Sequence, residues 1–230
     1  MLIFASLFKS NINVEQIKIR MIMKKIMMIA AMMVATVSAK AQFEPGTFSL
    51  QPKAGFVLSS ITGDGTKYKP GFTAGLEGQY QINNWFGLSA GVNYQMAGSK
   101  IKDSDSKFKM NYINIPVMAK FYVTKGLSLN AGLQLGFLTS AKLSDVQLLG
   151  GKDDIDIKEI CNKTDFSIPL SIAYEFTNGL SFEARYNVGV TNVIKNDVVN
   201  AALDIVGGTK RWDDNKNSAF MITVGYKFAL

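Results

Sequence analysis

Few residues in this 230-residue chain could carry chemistry. Histidine is absent, which removes imidazole as base, acid or metal ligand. Cys161 is the lone cysteine, so a disulfide framework, a cysteine-rich zinc site and an iron–sulfur cluster are excluded. What remains is a set of charged side chains inside otherwise alternating apolar and polar runs: Lys53, Glu77, Lys120, Glu175, Glu183, Arg185 and Lys227. Such a set admits a proton or ion path, or a desolvated network of ion pairs. Charges taken from water must be paired, and four bases nearly balance three acids, so a structural network is the expected reading. Lys152-Asp-Asp-Ile-Asp-Ile-Lys158 lacks the spacing and the distant bidentate Glu of a calcium loop and reads as a solvated acidic loop. Cys161, in the same stretch, is expected to be an exposed thiol without a role. Neither metal nor cofactor is expected.

The elements that must position these charges follow a period of two. Phe86, Leu88, Ala90, Val92, Tyr94 and Met96 alternate with Gly87, Ser89, Gly91, Asn93 and Gln95. Segments 127–137 and 180–190 repeat the pattern, as do 48–58, 71–82, 166–176 and 219–228. Segment 112–123 is less regular, with Ile113, Ile115, Val117, Ala119, Phe121 and Val123 on one face and Asn114, Pro116 and Lys120 on the other. These eight segments predict eight strands with no helix between them. Asn83-Asn84-Trp85, Thr124-Lys125-Gly126 and Thr177-Asn178-Gly179 are tight hairpin connections. Longer polar stretches are expected around 62–70, 98–108, 141–164 and 194–217. Short turns at one end and long loops at the other describe an all-β, eight-stranded antiparallel up-and-down barrel.

Alternation alone does not say which face points outward, since a secreted lipocalin-like barrel turns its apolar face in. Three observations favour a transmembrane barrel. The apolar faces carry no charge, as contact with lipid demands. The opposite faces mix Gly and Ser with the seven charges, which suits a narrow lumen. Aromatics stand at two heights: Phe48 and Phe56, Phe72 and Tyr80, Phe86 and Tyr94, and Phe220 and Phe228 each span nine residues counted inclusively. That matches the ~9–11 tilted residues that cross a bilayer.

Export is also legible. Met23-Lys24-Lys25 is a positive front, Ile26–Val37 an uncharged apolar run, and Ala39 and Ala41 the small residues read by a signal peptidase. Residues 23–41 are therefore expected to be a signal peptide cleaved between Ala41 and Gln42, and 42–230 the exported barrel. Residues 1–22 fit this signal poorly and are expected to be a mis-assigned extension. The net charge of +7 suggests an anionic partner, but residues 1–41 hold six bases and one acid, leaving only +2 for the rest. Nucleic acid is not an expected partner.

The fourth segment, Met110-Asn-Tyr-Ile-Asn-Ile-Pro-Val-Met-Ala-Lys-Phe-Tyr122, and the ending Val224-Gly-Tyr-Lys-Phe228 resemble those of small PorT-like, porin-family outer-membrane β-barrel proteins. The resemblance covers about 42–230, essentially the whole exported chain, and its motifs are structural. It implies the outer membrane of a Gram-negative-type bacterium, outer-membrane lipid and the barrel-assembly machinery as partners, and a role beside a secretion apparatus. Members typically end in an aromatic that the machinery reads; here Ala229 and Leu230 follow Phe228. Membrane-barrel enzymes mostly rely on histidine, and no Ser or Asp stands paired with another base. The expected function is non-enzymatic: a closed polar lumen with long extracellular loops for contacts or envelope integrity. The alternatives are a secretion accessory and a small-solute channel, although eight strands leave a lumen filled by side chains.

Overall fold

The computed structural model describes residues 44–62, 66–101, 106–148, 151–195 and 215–230. The expected signal peptide, its cleavage site at Ala41 and Gln42, and the extension 1–22 lie outside the described residues, as does 196–214. The strands are β1 (Phe48–Ile61), β2 (Thr66–Asn83), β3 (Phe86–Ile101), β4 (Lys107–Tyr122) and β5 (Leu127–Leu148). There follow β6 (Gly151–Asp156), β7 (Thr164–Glu175), β8 (Leu180–Asn192), β9 (Lys216–Tyr226) and β10 (Phe228–Ala229).

Eight long strands, β1 to β5 and β7 to β9, pair antiparallel in chain order. The ring closes where β1 meets β9, from Lys53↔Gly225 to Ile61↔Asn217, and β10 continues that seam with Ser49↔Ala229 and Leu50↔Phe228. The short β6 pairs with β5 alone among the described residues and forms a hairpin beyond the ring. Closure removes the unpaired edges that hydrocarbon cannot solvate. Gly126 and Gly179 have φ of 95° and 89°, which lets the β4–β5 and β7–β8 connections turn where a Cβ would be strained.

Proline marks the places where a ladder is interrupted. Pro116 and Pro169 have no amide hydrogen to give. Opposite Pro116 the β3–β4 register passes from Ala90↔Val117 directly to Asn93↔Asn114. Beside Pro169 the β5–β7 register passes from Ala131↔Leu170 to Gln134↔Ser167. On the other side each proline still occupies a register position, against Gln134 and Asn187 respectively.

The apolar face points outward, as the transmembrane reading requires. Val188 is 40% exposed and its neighbour Asn187 only 4%. Phe56, Leu76, Val92, Ile115, Leu133, Ile172 and Ile222 are likewise exposed, while Gln51, Gln79, Ser89, Asn130 and Ser171 are buried. A soluble barrel with its core inside would show the reverse. At the short-turn end the aromatics touch along the ring: Phe86 and Phe121 have centroids 5.0 Å apart, Tyr174 and Phe176 4.8 Å, and Tyr226 and Phe228 4.9 Å. Trp85 joins this belt, 6.5 Å from Phe121. At the other end Phe56 meets Phe72 edge-on at 6.5 Å.

Three expected loops are shorter than the sequence suggests. β2 begins at Thr66, β3 runs to Ile101 and β4 starts at Lys107, so most of 98–108 is strand. Within 141–164, β5 continues to Leu148 and β6 returns antiparallel, followed by a short 3-10 turn at Lys158–Ile160. The Lys152–Lys158 stretch is thus largely ordered strand rather than an open loop. The physical reason is that backbone pairing continues above the membrane, where no lipid enforces an apolar outward face and the alternation fades.

Candidate functional site

The lumen is built in three layers. In the first, all seven sequence-predicted charges meet. Period-two alternation places Lys53, Glu77, Lys120, Glu175, Glu183, Arg185 and Lys227 on inward positions of five strands and the break after β9. Because the lumen is narrow, residues far apart in sequence touch. Lys53 Nζ donates to Glu77 Oε2 at 2.7 Å and to Glu183 Oε2 at 2.9 Å. Lys120 lies 2.6 Å from Glu77 and 3.7 Å from Glu175. Arg185 reaches Glu183 at 2.8 Å and Glu77 at 3.6 Å, and Lys227 reaches Glu175 at 2.7 Å. Glu77 is the hub, facing three cations. Gln79 and Tyr122 extend the network: Lys120 donates to Gln79 Oε1, and Gln79 in turn donates to the Tyr122 hydroxyl. Arg185 bridges its two carboxylates, donating to Glu183 through Nε at 3.0 Å and facing both through Nη2.

The second layer is polar but almost uncharged. Asn114 donates to Gln95, Gln134 to Ser167, and Asn217 to both Asp165 and Tyr112. Two small cavities flank these side chains. One of about 30 Å³ borders Lys53, Glu77, Glu183 and Arg185, and one of about 20 Å³ borders Gln95, Asn114, Asp165 and Asn187. Each has room for one or two waters and no more.

The third layer was not anticipated. Ile61, Ala97, Met110, Tyr112, Leu138, Ala141, Ile157, Cys161 and Val193 pack into one buried apolar cluster at the long-loop end. It forms a plug over the polar lumen, with Phe108, Leu143 and Ile194 against its margin. The signal was present in the sequence: Leu138 ends an inward face of β5 that is otherwise polar or glycine, and Ile61 and Met110 stand at the long-loop ends of the inward faces of β1 and β4. Cys161 corrects an expectation, because it is fully buried in this plug rather than exposed. The turn at Lys158–Ile160 folds the chain back over the rim, and Cys161 forms an isolated bridge with Ile194. Burial there pushes the thiol up to about 11.

No curated protein matches the sequence. Among solved structures, Neisserial surface protein A (NspA) superposes with a TM-score of 0.45 at 15% identity, over 79% of this chain and 96% of that one. Ail, the attachment invasion locus protein of Yersinia pestis in complex with the heparin analogue sucrose octasulfate, gives 0.43 at 17% identity, over 80% and 100%. The outer membrane protein OprG from Pseudomonas aeruginosa gives 0.38 at 14%, over 80% and 97%. The family described as outer membrane protein beta-barrel domain matches residues 40–195. That span exceeds half of the sequence and includes seven of the eight long strands in full, and the chain therefore belongs to the outer membrane protein beta-barrel domain family of outer-membrane proteins.

Proposed function

We propose that this protein is a non-enzymatic barrel with a closed lumen, whose strand extensions and loops outside the cell serve contacts or envelope integrity. The observation that carries the reading is the stacking of an ion-pair layer beneath an apolar plug. Ions crossing the lumen would have to part charges held at 2.6–2.9 Å and then pass a dry layer containing Met110, Leu138 and Ile61. Each lumen carboxylate of the lower layer is held by cations, which disfavours a role as general base. The seven charges act structurally, tying strands together across the lumen. Purified protein in planar bilayers is expected to give no stable conductance steps at moderate voltage. Reproducible steps that disappear with heat-denatured protein would make it a channel instead.

A role as accessory to a secretion apparatus follows from the PorT-like resemblance of Tyr112-Ile-Asn-Ile-Pro116. Tyr112 and Pro116 point into the barrel, so the shared residues support a common architecture more than a common partner. Co-purification with secretion components after surface crosslinking, and a secretion defect on deletion, would favour that reading.

A further inference from the structure

Four lysines, Lys67, Lys100, Lys107 and Lys109, gather on the outward face of the barrel beyond the aromatic belt of the long-loop end, and a fifth, Lys69, lies beneath them in register with the buried Ser59. Lys67 on β2 stands directly opposite Lys100 on β3, and Lys100 directly opposite Lys107 on β4. Residues in register share a face, so this is a continuous row of like charges, an arrangement that opposes sheet pairing rather than supporting it. Lys109 occupies the next outward position of β4, opposite Gly98. Gly98 has φ of +140°, and a Cβ there would lie 3.2 Å from the Lys69 side chain. The missing side chain leaves a shelf on which Lys69 lies, its ammonium donating to the Ala97 carbonyl at 3.1 Å. Burial, then the charges of Lys109, Lys107 and Lys100, lower the Lys69 pKa, so these ammonium groups sense one another.

Among the described residues, acids answer only part of this charge. Asp145 lies 3.1 Å from Lys107 and Asp154 lies 3.7 Å from Lys109, both half-exposed pairs. Among the described residues no acid pairs with Lys67, Lys69 or Lys100. The height of the cluster identifies what can reach it. Lys67 is five residues beyond Phe72 of the aromatic belt and Lys100 six beyond Tyr94. At ~3.3 Å per residue and a tilt near ~45°, the lysines stand ~12–14 Å above that belt. Phospholipid headgroups fill only ~5–7 Å on each side of the hydrocarbon. A lipid carrying phosphate on a sugar headgroup reaches higher, and its phosphates would be lateral neighbours of an outward-facing strand.

We infer that Lys67, Lys100, Lys107 and Lys109 form a binding site for the phosphates of an outer-leaflet glycolipid, with Lys69 adding positive charge beneath them. Lysine suits this use as a set of point charges on flexible stems, each able to follow a phosphate without fixed geometry. The inference does not depend on the closed-lumen reading, because a conducting barrel would present the same lysines. The test uses the refolded full barrel in non-ionic micelles, with native mass spectrometry counting retained lipid. The probes are bisphosphorylated lipid A and the same lipid after removal of both phosphates. Wild type should retain the phosphorylated lipid at least tenfold more strongly. The Lys67→Gln/Lys100→Gln/Lys107→Gln variant should lose at least tenfold, while a control with equal charge change, Lys125→Gln/Lys158→Gln/Lys163→Gln, should not. Heat-shifted gel mobility verifies that both variants fold; if the triple variant fails, Lys100→Gln alone is compared with Lys125→Gln. Equal retention of the two lipids, or unchanged binding in the lysine variants, would overturn the site. Displacement of the lipid by millimolar inorganic phosphate would reassign it to free anions.

Discussion

Glu77→Gln should be the most damaging isosteric change in the lumen. The carboxylate faces Lys120 at 2.6 Å, Lys53 at 2.7 Å and Arg185 at 3.6 Å, and it is almost wholly buried. The lower layer holds four bases and three acids, so removing one acid leaves two acids for four bases. Stripping one partner from a buried ionic network costs ~3–5 kcal/mol. The amide recovers little of this, since its NH2 end must face an ammonium. Lys227→Met is the matched opposite. It brings the layer to three against three, and Glu175 keeps Lys120 at 3.7 Å and the Tyr122 hydroxyl at 3.2 Å. Its cost should stay near that of one charge-assisted hydrogen bond, ~1.5–3 kcal/mol. A difference of ~2 kcal/mol is about a thirtyfold ratio of unfolding constants. Urea titration in phospholipid vesicles, read by the heat-shifted gel band, measures both variants under one condition. If Lys227→Met were as harmful as Glu77→Gln, the hub assignment would be wrong and the layer would not act as a charge-balanced unit.

Val188→Arg should lower stable insertion by ~2–4 kcal/mol, because the side chain meets hydrocarbon; unchanged gel mobility and yield in vesicles would refute the outward assignment. Met110→Ala should cost ~2–5 kcal/mol, since the side chain is fully buried in the plug, and faster proteolysis of the rim checks it. Cys161 should resist a water-soluble maleimide until the pH approaches 11, because burial holds the proton on sulfur and keeps the thiolate scarce at lower pH. Labelling at pH 8 as fast as that of a free thiol would place Cys161 outside the plug.

The membrane-crossing part of this molecule was legible because one rule governs it. Lipid outside and a narrow polar lumen inside force a strict parity, and Phe86 to Met96 or Leu180 to Val190 display it without exception. The same parity placed the seven charges inside, yet it could not pair them. Lys53 and Glu183 are 130 residues apart and meet only because the ring is small enough for side chains to span it. Above the bilayer the rule lapses. Gly98, Lys100 and Lys107 read as loop residues by composition, although the β3–β4 ladder runs on through them. The apolar plug was missed for a related reason: Met110, Leu138 and Cys161 belong to different chain stretches, and only closure of the ring gathers them.

The seam between β1 and β9 has a consequence for how the molecule comes into being. The ladders around most of the ring join strands that follow one another along the chain, so they can zip locally as hairpins. The seam alone joins Lys53–Ile61 to Asn217–Gly225, the two ends of the barrel. It carries the greatest loop-closure entropy and should form last. Until that moment the nascent sheet has two open edges, from Phe48 and from Phe228, each a template for pairing with the wrong chain. Any factor that inserts this protein has its most exacting task there, in sheltering two edges and bringing them together once, and the short β10 beyond Lys227 gives the closing edge its final foothold on Ser49 and Leu50.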